Sequence, residues 1–167
     1  TMPFGMMQLS PDTRLDGWDG CSGYHYSDEH IYGFSHTHLS GTGVSDYGDI
    51  LLMPTNKIVF NNGSDGKEGY RSHFSHDKEQ AEPGYYKVHL DDTNIDVELT
   101  VSERSGKHLY KFAEGSKQII IIDLEHRDEV LDSKLTINSK TEISGHRHSK
   151  AWATDQRLYF DMLFSKP

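Results

Sequence analysis

Trp18, Asp19, Cys21, Tyr24, Ser35, His36, His38 and Thr42 all fall in one stretch, Gly17 to Pro54, which sets an indole, four tyrosines, four histidines and four aspartates on a Gly-rich backbone. Aliphatic residues are nearly absent until its end at Ile50-Leu51-Leu52-Met53, so neither the two-residue nor the 3.6-residue repeat that builds a core is present. Such a segment reads as a polar-ligand site on tight turns rather than as packing material. Trp18 sits in Gly17-Trp18-Asp19-Gly20, a loop context in which a large ring needs cover, either from the body of the fold or from a ligand. A sugar has an apolar C–H face and a rim of hydroxyls, and an indole beside carboxylate, imidazole and amide groups matches both.

Other chemistries fit less well. His36/His38 and His146/His148 have the H-x-H spacing that puts two rings on one face of a strand, as metal sites in β-barrels require. Neither pair is followed closely by the carboxylate and further histidine that would complete a set of three or four ligands. A small metal-dependent β-barrel enzyme built on these four histidines is nevertheless one alternative. Gly41-Thr42-Gly43 lacks the later Gly and Lys of a phosphate loop, and Gly33-Phe34-Ser35-His36-Thr37 lacks the second Gly of a nucleophile elbow. No flanking pattern makes Cys21 a nucleophile. Asp28, Glu29, Asp46 and Asp49 supply carboxylates, but sequence does not set two of them across a scissile bond.

The chain has 167 residues, suited to one domain with a core of its own. Seventeen Lys and Arg against 26 Asp and Glu give a net charge of −9, which argues against a nucleic-acid backbone or an anionic membrane as partner and favours a neutral or cationic ligand. With Cys21 as the only cysteine, no intrachain disulfide forms. No apolar run approaches the roughly 20 residues of a membrane helix, and no signal-peptide pattern opens the chain. Both ends look cut rather than capped, which suggests a piece of a longer protein.

The elements that must position these residues are strands. Ile95, Val97, Leu99 and Val101 alternate with Asp96, Glu98 and Thr100, and short runs follow the same pattern at Tyr85 to Leu90, Leu109 to Phe112, Gln118 to Leu124, Leu135 to Asn138, Glu142 to Gly145 and Leu158 to Phe164. Strands recurring at such spacing predict an all-β, antiparallel sandwich or barrel with little helix. Ile119 to Ile122 is apolar at every position, as in a central strand covered on both faces. Residues 61 to 83, rich in Asn, Gly, Asp and Lys, read as a solvated excursion in which His73 and His76 are exposed. Trp152 is expected in the core.

A family resemblance emerges from these residues. Pro3-Phe4-Gly5-Met6, Gln8-Leu9-Ser10-Pro11-Asp12-Thr13, the GWDGCSGYHY run from Gly17, the block from Ile31 to Gly43, Gly48-Asp49-Ile50-Leu51-Leu52-Met53-Pro54 and the closing Phe164-Ser165-Lys166-Pro167 resemble the N-terminal domain of glycoside hydrolase family 92. The resemblance implies a supersandwich of the galactose-mutarotase-like kind, packed in the parent protein against an (α/α)6 barrel. It further implies an exported, bacterial, calcium-dependent and inverting exo-α-mannosidase acting on mannose-containing glycans. The acid and base and most of the calcium shell would belong to the barrel, so this chain would carry no catalytic residue, bind no metal and be inactive alone. Trp18 would match the Trp of the leaving-group subsite, and the Gly33 to Gly43 block would lie near the sugar. A free-standing carbohydrate-binding sandwich is the other alternative, and an isolated sandwich is expected to self-associate through the face that normally meets the barrel.

Overall fold

The alternation over Ile95–Val101 produces a strand whose Ile95, Val97 and Leu99 are buried while Asp96 and Glu98 are only partly covered. The computed structural model describes residues 5–40 and 43–167, so that Pro3, Phe4, Gly41 and Thr42 lie outside the described residues. In chain order the strands begin with β1 (Ser10–Asp12), β2 (His30–Ile31), β3 (Gly33–Ser35), β4 (Leu51–Thr55), β5 (Ser72–His73) and β6 (Glu79–Glu82). They continue with β7 (Tyr85–Leu90), β8 (Ile95–Val101), β9 (Gly106–Lys111), β10 (Ile119–Asp123), β11 (Glu129–Ser139), β12 (Glu142–Lys150) and β13 (Gln156–Leu163). The helical content of the described residues is a 3-10 turn at His76–Lys78, as the lack of a 3.6-residue period predicts.

Two four-stranded antiparallel sheets, ordered β1-β3-β4-β10 and β6-β7-β8-β9, form the sandwich. Phe34, Leu51 and Met53 of the first meet Val88, Leu90, Ile95, Val97 and Leu99 of the second, with Ile31, Tyr70 and Phe74 closing the core. A third antiparallel sheet is ordered β11-β12-β13, and β2 pairs with β5. The apolar runs from Tyr85 onward are strands as expected, with β11 and β12 longer than the runs that signalled them.

Four expectations are corrected. The Gly17 to Pro54 stretch does build core: Ile31, Phe34, Leu51 and Met53 are completely buried. Their spacing hides this, because each short strand contributes one or two inward residues between turns. The central strand is β4, buried at all five positions between β3 and β10, whereas the Ile119 to Ile122 run forms the outer strand β10 and is half-buried throughout. Residues 61 to 83 are a solvated excursion only in part: 61–69 are mostly exposed and His73 is exposed as expected, but Tyr70, Ser72 and Phe74 are buried and β6 pairs with β7. Trp152 stands 70% exposed in the turn between β12 and β13 rather than in the core.

The third sheet has unequal faces. Register places Leu135, Ile137, Ile143, Leu158, Phe160 and Met162 on one side and Lys134, His146, Tyr159, Thr136, Ser144 and Asp161 on the other. At its inner end the apolar side is sealed onto the sandwich by Arg147 and Ser149, both 0% exposed, and at its outer end it opens until Ile137 is 74% exposed. Leu90→Ala, in the sealed core, is expected to cost about 2–5 kcal/mol in urea unfolding. Ile137→Ala, on the open end, should stay within about 0.5 kcal/mol.

Candidate functional site

The loop carrying Trp18 folds around one guanidinium. Arg14 holds Asp28 through Nη2–Oδ1 at 2.6 Å and Nε–Oδ2 at 3.2 Å, and holds Asp19 through Nη1 at 2.8 Å. This two-pronged geometry fixes both ends of residues 19–28. Arg14's hydrogen bond also holds the Asp19 carboxyl below its usual range. Trp18 is 73% exposed, and its ring edge lies beside Gly43, where a Cβ would stand 3.9 Å from Cη2. The indole therefore does not pack down onto the sandwich.

Beneath the loop lies Asp12, at the end of β1 and completely buried. Its Oδ1 meets His38 Nε2 at 3.0 Å and Arg127 Nη1 at 3.5 Å, and His126 Nε2 lies 3.2 Å from Oδ2, near enough to pair but outside hydrogen-bond alignment. Burial pushes the Asp12 carboxyl up, and His38 and His126 outweigh that push, leaving it well below 3.8. Burial likewise pushes His38 down, but Asp12 and the Gln8 carbonyl, 2.7 Å from Nδ1, raise it overall. Both ring nitrogens of His38 thus face acceptors, as the imidazolium requires. Arg127 then reaches the Gly20 carbonyl at 3.4 Å and the Ser45 hydroxyl, tying the Trp18 loop, β1 and the 43–48 segment to the β10–β11 connection. Gly23 presses on the same cluster with φ +90, and a Cβ there would lie 2.2 Å from Asp12 Oδ1.

A second buried cluster sits beside it. Arg147 of β12 pairs with Asp49 and donates from Nε to the Leu124 carbonyl at 2.8 Å and from Nη2 to the His126 carbonyl at 2.8 Å. Asp49 also accepts from Thr37 Oγ1 and Gln156 Nε2, each at 2.6 Å. Asp46 accepts from the Ala153 N–H at 2.9 Å and Asp128 from the Tyr47 N–H at 2.7 Å. Burial, then the neighbouring Asp46, push the Asp128 carboxyl up to about 7. Asp46 Oδ1 is buried without a hydrogen-bond partner, and a proton retained on Asp128 gives this pair the donor it otherwise lacks.

The sequence-derived residues divide between these places. Trp18 and Asp19 are at the surface, Cys21 is buried, and Tyr24 is half-buried with its hydroxyl on Glu79 Oε2 at 3.0 Å. Ser35 and His38 join at 2.9 Å beneath the loop. His36 turns to another partner set, donating from Nδ1 to the Ile50 carbonyl at 2.6 Å and meeting His108 Nε2 at 3.0 Å, while Tyr110 donates to His108 Nδ1 at 2.7 Å. Because Ile50 offers only an acceptor, this chain fixes one tautomer in each ring. Burial lowers His36, and burial with His36 takes His108 down to about 3, so both rings are neutral at pH 7. The His36/His38 pair departs from the expected strand face because β3 ends at Ser35. His146 and His148 do lie on β12, bonded to Asp132 and Asp155, each at 2.8 Å. Asp12, Arg14, His126, Arg127, Asp128 and Arg147 were not singled out as site residues. No local signal marks most of them, since their partners lie up to 115 positions away.

The family model described as the glycosyl hydrolase family 92 N-terminal domain matches residues 1–167. The chain is similar to the family GH92 α-mannosidase BT3965 from Bacteroides thetaiotaomicron, with 39% identity and a TM-score of 0.90 over 98% of this chain and 23% of that one. The same enzyme in complex with mannoimidazole superposes with a TM-score of 0.91 at 39% identity, over 99% of this chain and 22% of that one. An uncharacterized secreted glycosidase of Arthroderma benhamiae is 30% identical over 138 residues, 74% of this chain and 17% of that protein. The chain therefore spans about a fifth of the length of the proteins it matches.

Gly23→Ala, forcing a Cβ into the Asp12–His38 pair at a left-handed backbone position, should cost more than about 1 kcal/mol in thermal unfolding. The raised Asp128 makes the folded state bind a proton that the unfolded chain releases above 3.8, so its contribution falls between 3.8 and about 7 and is flat beyond. The raised His38 adds a loss as pH climbs above 6.5, and the lowered Asp12 adds one as pH falls below 3.8. Asp128→Asn should flatten the decline between about pH 4 and 7, measured as Tm against pH.

Proposed function

This chain belongs to the glycosyl hydrolase family 92 N-terminal domain family, and on that premise we propose that it supplies one wall of the sugar-binding pocket of an exo-acting α-mannosidase. The observation that carries the reading is the posture of Trp18: an indole held 73% exposed on a loop clasped by Arg14 and anchored through Gly20 by Arg127. An exposed aromatic plate on a loop held by the Arg14 ion pairs suits the C–H face and hydroxyls of a mannose unit in the leaving-group position. The charge of −9 agrees with a neutral glycan as substrate.

The general acid and base of an inverting reaction are assigned to the (α/α)6 barrel of the parent. Supporting this, Asp12 and Asp49 are committed to His38, Arg127 and Arg147, and Asp46 and Asp128 accept from the Ala153 and Tyr47 backbone N–H groups. Calcium is assigned to the barrel for a similar reason. Among the described residues no three His, Cys, Asp or Glu side chains converge to hold a metal, so the residues here do not fit the ion. The apolar outer end of the β11-β12-β13 sheet is the surface proposed to meet the barrel, and self-association through it is the consequence in isolation. No helix of the described residues is long and apolar enough to cross a membrane. An exported parent agrees with the description of the Arthroderma benhamiae relative as secreted.

The parent enzyme should hydrolyse α-1,2-mannobiose in the presence of calcium with inversion, and the 167-residue chain alone should not. Turnover by the chain alone would overturn the division of labour. In the parent, Trp18→Ala should weaken substrate use by roughly tenfold, the value of covering one indole face. An unchanged kcat/KM would remove Trp18 from the site.

A further inference from the structure

Three elements converge on Glu79, at the start of β6. Its Oε2 accepts from Tyr24 Oη at 3.0 Å and from His76 Nδ1 at 2.6 Å, and its Oε1 accepts from Tyr86 Oη of β7 at 2.6 Å. The Glu79 side chain is only 9% exposed. Three donors aimed at two oxygens suit an acceptor-only carboxylate. Burial, and then the hydrogen bond to Glu79, raise both phenols, so Tyr24 and Tyr86 keep the protons they donate. Tyr24 thereby fastens the returning half of the Trp18 loop, between the Arg14-held Asp19 and Asp28, to the β6-β7-β8-β9 sheet.

His76, in the 3-10 turn just before β6, grips the same loop at a second point. Its Nε2 lies 2.7 Å from the Tyr26 carbonyl, and its ring lies flat on the Tyr26 ring, with 4.0 Å between centroids and 8° between planes. Phe74 stands edge-on to it at 5.3 Å. Both ring nitrogens thus face acceptors, and only the imidazolium has a proton for each. Of the neighbouring charges Asp77 adds to Glu79, while Lys78 is taken up by Asp91 at 2.6 Å. The Glu79 hydrogen bond accordingly raises the imidazole above 6.5, against the opposing effect of burial. When one proton leaves, the other is held on Nδ1 by the Glu79 charge, and Nε2 turns a lone pair on the Tyr26 carbonyl.

We propose that Glu79 and His76 are positioning residues for the Trp18 loop, a clamp that holds Tyr24 irrespective of His76 and holds Tyr26 only while His76 is an imidazolium. Its bearing on sugar binding rests on the Trp18 reading above, but the clamp itself is tested on the 167-residue chain. The measurement is a pH titration by NMR that follows the His76 ring, the Tyr26 carbonyl carbon and the Tyr24 ring. His76 should titrate above 6.5, the Tyr26 carbonyl should shift with the same midpoint, and Tyr24 should not move. A raised imidazole contributes stability that is present below 6.5 and lost as pH rises through its folded value. Exchange protection of the Asp28 amide, bonded to the His25 carbonyl at 3.1 Å, should therefore fall across that step. Corrected for the intrinsic rate, the fall should be about tenfold, the worth of one charge-assisted hydrogen bond. Glu79→Gln should bring the His76 midpoint back towards 6.5. His76→Phe, which keeps a ring against Tyr26 but no donor, should leave Asp28 protection low at every pH. A His76 midpoint at or below 6.5, a Tyr26 carbonyl that ignores it, or an unchanged midpoint in Glu79→Gln would overturn the proposal. A silent Trp18→Ala in the parent would instead remove the sugar reading and leave the clamp standing.

Discussion

A fully buried carboxylate is tolerable only if the surrounding residues neutralise it, and Asp12 imposes that condition on much of this fold. Removing its charge from water costs several kcal/mol, which is recovered only through close and well-placed partners. Those three partners come from two separate connections: His38 after β3, and His126 and Arg127 between β10 and β11. Each then makes a further contact, His38 to Gln8 and Ser35, Arg127 to Gly20 and Ser45. Satisfying one buried charge thereby ties the Trp18 loop, β1 and the 43–48 segment to the β10–β11 connection. Gly23, whose Cα must approach Asp12 without a side chain, completes the enclosure.

The adjacent Arg147–Asp49 pair extends the same logic to the third sheet. Arg147 is the largest fully buried side chain, and it joins β12 to the carbonyls of Leu124 and His126 and to the carboxylate of Asp49. The sheet that carries the open apolar face is thus anchored at one end by a charge network rather than by a hydrophobic seam. This explains how its outer half can remain uncovered while its inner half is fixed. The apolar area is free to meet another surface because it is not what holds the sheet in place.

The polar groups therefore have two distinct duties. Asp12, Asp49, His38, Arg127 and Arg147 are internal, and their chemistry is spent on one another. Trp18 keeps exposed aromatic surface for something outside the chain. Residue type alone does not separate these duties, since His36, His38 and Asp19 look equally suited to a ligand. Burial and partner geometry do.

The sequence by itself determined the strand-rich architecture after Tyr85, because period-two alternation reports a half-buried strand directly, and β7 and β8 match their runs residue for residue. It also determined the family, through the long Gly-rich and aromatic blocks that no packing requirement would reproduce. Trp18 was legible as a candidate because a ring in a glycine loop has no local support. Only the tertiary structure decided that β4, not the Ile119 to Ile122 run, is the enclosed strand, since centrality depends on which strands pair and not on how apolar a segment is. The same holds for Arg127, Arg147 and Asp12, whose roles rest on contacts between positions roughly a hundred residues apart. Local composition records the period of a strand, but it carries no information about which distant charge a folded chain will bring against it.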